Sequence, residues 1–389
     1  VAVSRRAQHI RPFVVMDVVA KAKAMQARGI DVIRLEIGDP DLPTPSVITR
    51  AAEQAMQHGD TGYTQSAGLP DLREAVATHY AAAYGASVDP ENIIVTQGTS
   101  PAMLLLFGSL LDPGDEVIIS DPSYPAYANY ISFLDGVPVR VPVRAEEGFR
   151  FRAQEVRAAI TPKTRAIMIN SPANPMGTTL PPDDLAELAA IAEDAGIYIA
   201  SDEIYHGLQF HERSRSILEF TDHAFVLNGV SKAYAMTGWR LGYMISPPEF
   251  VRPAEKIQQN FFLCANHFVQ VAATAAITQA QDEVARMRDI YDERRRYLVP
   301  ALRRIGLRVD AEPTGAFYVF ADASAWGKDS FALVNRILEE AHVSLAPGVD
   351  FGPGGEGFVR VSYATALERL EEGVSRLEEW AAHTPKESP

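Results

Sequence analysis

RAIMINSPANPMGTTLPPDDLAELAAIAEDAGIYIASD, residues 165–202, decides the fold. Its two ends, Arg165–Asn170 and Ile197–Asp202, are short runs that are apolar on successive positions, not alternate ones. Between them, Pro182–Ala195 repeats its apolar residues at helical spacing. Strands that are apolar on both faces belong in a mostly parallel sheet covered by helices. The pattern recurs upstream and downstream, with strands expected at Asn92–Thr96, Glu116–Ser120 and Phe225–Asn228, and an amphipathic helix at Asp71–Tyr84. The expectation is an α/β fold whose large domain, 46–284, has a mostly parallel sheet sandwiched by helices. After about residue 285 the pattern changes to a long charged helix, Arg286–Ile305, and then to strands and helices in mixed order. That predicts a smaller α+β domain formed by the N- and C-terminal segments, 1–45 and 285–389. Only the tail, 383–389, reads as frayed.

Composition narrows the function classes. A hydrophobic fraction of 47% with 22% charged residues is that of a soluble globular chain. The net charge of −14 leaves no basic stripe to neutralise phosphates, so nucleic acid is not an expected partner. One cysteine, Cys264, excludes an internal disulfide and fits a reducing compartment. The opening VAVSRRAQHI lacks the apolar core of a signal peptide, and no run is long enough to cross a bilayer. A cytoplasmic protein without membrane partners is expected. No His pair or Cys cluster has ligand spacing, so no metal is expected. GPGGEG (352–357) suggests a dinucleotide loop, but it contains Pro353 and precedes a strand-like run instead of a helix.

In open α/β sheets ligands collect beyond the carboxyl ends of the strands. Four such ends carry polar residues. Gln97-Gly98-Thr99-Ser100 is more commonly a glycine turn with a hydroxyl cap; its functional alternative is a seat for an anion at a helix N-terminus. SPANPMG (171–177) is a turn, in which Asn174 either shapes the backbone or donates to a ligand. Asp202, closing an apolar strand, is either a helix cap or the partner of a cationic ring nitrogen, with the Tyr205 phenol three residues on. In NGVSKAYAMTGWRLGY (228–243), Lys232 has no acid within seven positions on either side, and Arg240 lies in an equally apolar stretch. Buried cations without partners are costly, so both reach solvent or both meet an anion the sequence does not encode. A desolvated lysine becomes a nucleophile toward carbonyls, and Arg240 with Ser231, Thr99 and Ser100 would hold a phosphate. A phosphate, a pyridine nitrogen, a phenolic oxygen and an aldehyde occur together in pyridoxal 5′-phosphate.

The chain resembles the fold-type-I pyridoxal-phosphate-dependent aminotransferases of class I/II, in their aspartate-aminotransferase-like branch. The likeness runs from Arg5 to about Leu370, on LEIGDPDLPTP (35–45), GYTQSAGLPDLREA (62–75), TQGTSPAM (96–103), DPSYPAY (121–127), NSPANPMG (170–177), SDEIY (201–205), VSKAYAMTGWRLGY (230–243), PTGAFYVF (313–320) and PGVDFGPGGEGFVRVSYA (347–364). The resemblance implies that Lys232 bonds the cofactor aldehyde and shuttles the substrate Cα proton. It implies that Asp202 keeps the ring nitrogen protonated, Tyr205 and Asn174 bind the phenolic oxygen, and Tyr124 stacks on the ring. Gly98, Thr99, Ser100, Ser231 and Arg240 are then the phosphate site, with Tyr63 reaching it from a neighbouring subunit. A homodimer with shared active sites follows from the resemblance. Arg360 is implied to grip the substrate α-carboxylate near Gly38, although its alternation with Val359 and Val361 also suits a surface arginine on an edge strand. The implied activity is ping-pong transfer of an amino group from an L-amino acid to a 2-oxo acid such as 2-oxoglutarate. Phe13, Val15, Met16, Phe261 and Phe262 read by default as core; if they line the side-chain pocket, apolar or aromatic donors are favoured. The alternatives are an aspartate aminotransferase, a lyase or decarboxylase on the same cofactor, and a non-catalytic regulatory module that binds it.

Overall fold

The computed structural model describes residues 3–386, so the last three residues of the tail expected to fray lie outside the described residues. Its main sheet has seven strands: β1 (Ile93–Thr96), β2 (Glu116–Asp121), β3 (Val137–Pro142), β4 (Thr164–Asn170), β5 (Tyr198–Asp202), β6 (Ala224–Gly229) and β7 (Gly242–Ile245). Their spatial order is β1-β7-β6-β5-β4-β2-β3. Strands β3, β2, β4, β5 and β6 pair in parallel, while β7 is antiparallel to both β6 and β1. The two-sided apolar runs have a direct cause. Along β4, Ala166 and Met168 enter one core with Val117, Phe225 and the helix Thr99–Leu110, while Ile167 and Ile169 enter the other with Leu185 and Leu188 of the helix Pro182–Ala195. Each strand thus serves two packed layers, as a parallel sheet between helices requires.

The remaining sheets are small. Strands β8 (Tyr318–Asp322), β9 (Ala346–Pro347) and β10 (Phe358–Ser362) form an antiparallel sheet in the order β9-β10-β8. Ile33–Arg34 pairs in parallel with Val343–Ser344, bringing the two ends of the chain together. In chain order the helix Gln281–Ile305 falls between the main sheet and the small antiparallel one. It begins five residues before the charged helix expected from sequence, because Asp282 and Glu283 sit in its first turn, where the helix dipole favours acids. Among the described residues no helix is long and apolar enough to cross a membrane.

The topology decides where chemistry can happen. Because β4, β5 and β6 are parallel, Asn170, Asp202 and the Ser231-Lys232 turn emerge at one edge. Strand β1 runs the same way, so the turn at Gly98 emerges there too, and antiparallel β7 starts at that edge, just after Arg240.

Candidate active site

At this edge lies a cavity of about 470 Å³. Thr99, Ser100, Tyr124, Asn174, Asp202, Tyr205, Ser231, Lys232 and Arg240 line it from the main sheet, joined by Gly38, Arg360, Val15 and Met16 from the chain ends. Gly98 sits just behind: with φ at 98° it takes a backbone form that glycine favours, and a Cβ there would lie 2.7 Å from Arg240 Nη2. A Cβ on Gly242 would fall 2.8 Å from the Gly98 carbonyl carbon, so these two glycines let the β1 turn and β7 cross closely beneath Arg240.

Three cations face the cavity. Lys232 Nζ donates to the Gly38 carbonyl at 2.6 Å. Burial lowers its amine to about 8; Arg360 and Arg240 push the same way, and the carboxylates of Asp39 and Asp202 oppose them. Arg240 reaches solvent despite its apolar stretch of sequence, and it donates to the Thr237 carbonyl at 3.1 Å. Arg360, 6% exposed, donates to Asn174 Oδ1 at 2.8 Å and to the Glu36 carbonyl at 2.6 Å, and its buried Nε has no partner. None of the three lies within ion-pair distance of an acid among the described residues. The edge-strand alternative for Arg360 does not hold, because β10 is the central strand of its sheet.

Asp202 and Glu203 are adjacent but turn to different surroundings. Glu203 accepts from Tyr80 Oη at 3.0 Å, Ser216 Oγ at 2.9 Å and the Ile217 N–H at 3.0 Å, away from the cavity. Asp202 accepts from Tyr127 Oη at 2.7 Å and from the Ile204 N–H at 3.2 Å, and it lines the cavity. Burial pushes its carboxyl up to about 6, against the pull of those hydrogen bonds. Tyr127 was not singled out from sequence, although it lies in the quoted DPSYPAY, three residues after Tyr124. Asn170 was missed as well; its Nδ2 donates to the Asp202 carbonyl at 2.9 Å and its Oδ1 accepts the Asn174 N–H at 2.8 Å, joining two strand ends.

The rim of the cavity is apolar. Phe13, Val15, Met16 and Ile37 border it, and the Phe13 ring stacks toward Tyr124 with centroids 6.2 Å apart. This rim is held by Asp350, whose carboxylate accepts the Val14 N–H at 2.8 Å and the Val15 N–H at 3.4 Å, capping the helix Val15–Ala27 from across the chain. The other apolar candidates lie elsewhere. Phe261, 70% exposed, and Phe262 line a separate cavity of about 520 Å³, together with Tyr63, which is 85% exposed. Phe262 ends the helix Pro248–Phe261, and the chain from Leu263 to His267 continues along the wall of that second cavity.

The chain matches the family model described as aminotransferase class I and II over residues 30–377. It is 41% identical over 353 residues to an aspartate aminotransferase of Pyrococcus horikoshii, covering 90% of each chain. It is 38% identical over 381 residues to a (5-formylfuran-3-yl)methyl phosphate transaminase of Methanocaldococcus jannaschii, covering 97% of this chain and 99% of the other. The solved structure of Thermus thermophilus aspartate aminotransferase with maleate is also similar, with a TM-score of 0.94 at 38% identity, covering 97% and 99% of the two chains.

Proposed function

Because the chain belongs to the class I and II aminotransferases and so transfers amino groups, we propose that it does this with pyridoxal 5′-phosphate seated in the cavity around Lys232. The reaction is ping-pong exchange between an L-amino acid and a 2-oxo acid such as 2-oxoglutarate. The observation that carries the reading is the convergence of Lys232, Arg240 and Arg360 on one cavity with no acid paired to any of them among the described residues. Arg360 is buried and Lys232 half-buried, so unpaired positive charge there is expensive, while Arg240 is exposed on the cavity wall; a dianionic phosphate, a phenolic oxygen and a substrate carboxylate would pair with the three.

The donor set fits that ligand. Thr99, Ser100, Ser231 and Arg240, with the Gly98 turn, suit the phosphate. Asp202 suits the ring nitrogen, Tyr124 the ring face, and Tyr205 with Asn174 the phenolic oxygen. Asn174 Oδ1 is taken by Arg360, which leaves its amide N–H groups to donate. Tyr63, 85% exposed and lining the second cavity, would serve a second copy in a homodimer. Bound there, the cofactor supplies an aldehyde for the amine and a ring that accepts electrons from the substrate α carbon. Lys232 would hold that aldehyde through its neutral amine and would carry the proton from that carbon. Asp202 would hold a proton on the ring nitrogen. Arg360 grips the α-carboxylate through guanidinium N–H groups, its free Nε among them.

Two results follow from this assignment. Capture of pyridoxal phosphate by the apoprotein, followed by stopped-flow absorbance, should speed up about tenfold per pH unit below pH 8 and level off above it, because the Lys232 amine titrates near 8. A rate that keeps climbing to pH 10 would mean an ordinary, solvated lysine. The second result concerns the donor. The cations lining the cavity are already assigned to cofactor and α-carboxylate, and the rim is apolar, so leucine- and phenylalanine-like donors should show the higher kcat/KM. In a panel of amino donors with 2-oxoglutarate, a maximum at aspartate would overturn that preference. The visible absorption of the loaded protein should bleach with the donor and return with the 2-oxo acid. Release of ammonia or carbon dioxide in place of a 2-oxo acid would instead mark a lyase or a decarboxylase.

A further inference from the structure

Tyr318 has no part in the assignments above, yet three features of the site meet on it. It lies on β8, 1% exposed, and its hydroxyl is 2.9 Å from that of Tyr205. Its ring lies under Arg360, whose Cζ is 4.4 Å from the ring centroid. A Cβ built on Gly38 would fall 1.8 Å from the Tyr318 hydroxyl oxygen, so the missing side chain at Gly38 is the space that hydroxyl occupies. Strand register explains the reach: Tyr318 stands opposite Ser362, two positions from Arg360 on the same face of β10.

We propose that Tyr318 is a positioning residue that joins the two halves of the site, its hydroxyl orienting Tyr205 and its ring supporting Arg360. The inference rests on the cofactor and substrate roles proposed for those two residues. If Tyr205 donates its single proton to the phenolic oxygen, the hydrogen bond between the two hydroxyls must run from Tyr318 to Tyr205. A hydroxyl that accepts in this way becomes a stronger donor, so Tyr318 strengthens the Tyr205 contact. Burial holds both phenols protonated. The ring acts separately: Arg360 is sandwiched between the faces of Tyr318 and Phe351, at 4.4 and 4.9 Å, which fixes the plane of its fork for a carboxylate. Occupation of the carboxylate site can then be felt at Tyr205 through one shared side chain.

The test compares the cofactor-loaded parent with Tyr318→Phe and Tyr318→Leu. Two quantities are read: the pH midpoint of the visible absorption, and the Kd of 3-phenylpropionate, a carboxylate with no amine to react. In Tyr318→Phe the phenolic oxygen is less well stabilised, so the proton between it and the Lys232 nitrogen is kept to higher pH. The midpoint should rise by roughly half a pH unit while the Kd stays within about twofold. In Tyr318→Leu the Kd should weaken roughly five- to thirtyfold as well. A Tyr318→Phe titration superimposable on the parent's overturns the proposal, as does an unchanged Kd in Tyr318→Leu. A residue that is structural and nothing more would lower the melting temperature and leave the midpoint where it was. If Tyr318→Leu does not fold, the Tyr318→Phe midpoint decides alone. A parent that shows no pH-dependent band would defeat the cofactor reading itself, which is a different outcome from a normal parent matched by its variant.

Discussion

Lys232→Ala is expected to fold as the parent does and to lose turnover by roughly a thousandfold or more, because one amine serves as both nucleophile and base. The structural cost is small. The Nζ contact with the Gly38 carbonyl is lost, but that carbonyl faces an open cavity where water can replace the amine. The burial that lowers the amine to about 8 is a penalty on the charged side chain, so its removal should leave the melting temperature of the apoprotein unchanged or higher. Single-turnover kinetics and thermal melts measure the two halves. Turnover above roughly a tenth of the parent's would move the chemistry to another group.

Asp202→Asn should separate stability from catalysis by sign. The amide keeps an oxygen for Tyr127 or Ile204 but cannot carry the negative charge that holds a proton on the ring nitrogen. Turnover should fall roughly a hundred- to a thousandfold, since each tenfold corresponds to about 1.4 kcal/mol of lost charge stabilisation. The apoprotein should respond in the opposite direction. Asp202 is raised from 3.8 to about 6 by burial, so its contribution to stability is whole below pH 3.8 and is lost as pH rises through 6. At pH 8 the empty Asp202→Asn protein should therefore be more stable than the empty parent, by on the order of 3 kcal/mol at most. Loading with cofactor should reverse that ranking, because the parent then pairs its charge. Denaturant titrations with and without pyridoxal phosphate at pH 8 would show the crossing, and a parent that is the more stable in both would count against the pairing.

Much of this was legible in the chain. The βαβ reading of residues 165–202 is observed as β4, the helix Pro182–Ala195 and β5, because two-sided apolar runs have few places to go other than between two helical layers. The residues that follow those runs converge on the cavity, since parallel strands deliver their carboxyl ends to one edge. Less legible were the side chains that act through others. Tyr127 reaches Asp202 across 75 positions and Tyr318 reaches Tyr205 across 113, and nothing local in either sequence context announces the contact. Phe261 and Phe262 show the converse failure. Apolar character alone did not say which cavity they would line, and the end of the helix Pro248–Phe261 sends them to the other one.

The cavity rim is hung on the Asp350 carboxylate and drawn from a short stretch near the N-terminus, whereas the reacting groups stand on the ends of the main sheet. Diet and machinery are thereby written in separate parts of the gene. If the rim reads the donor side chain as proposed, drift among residues 13–16 would retune what is eaten without risking how it is digested, and descendants of one ancestor would come to feed on unlike molecules while sharing a single engine.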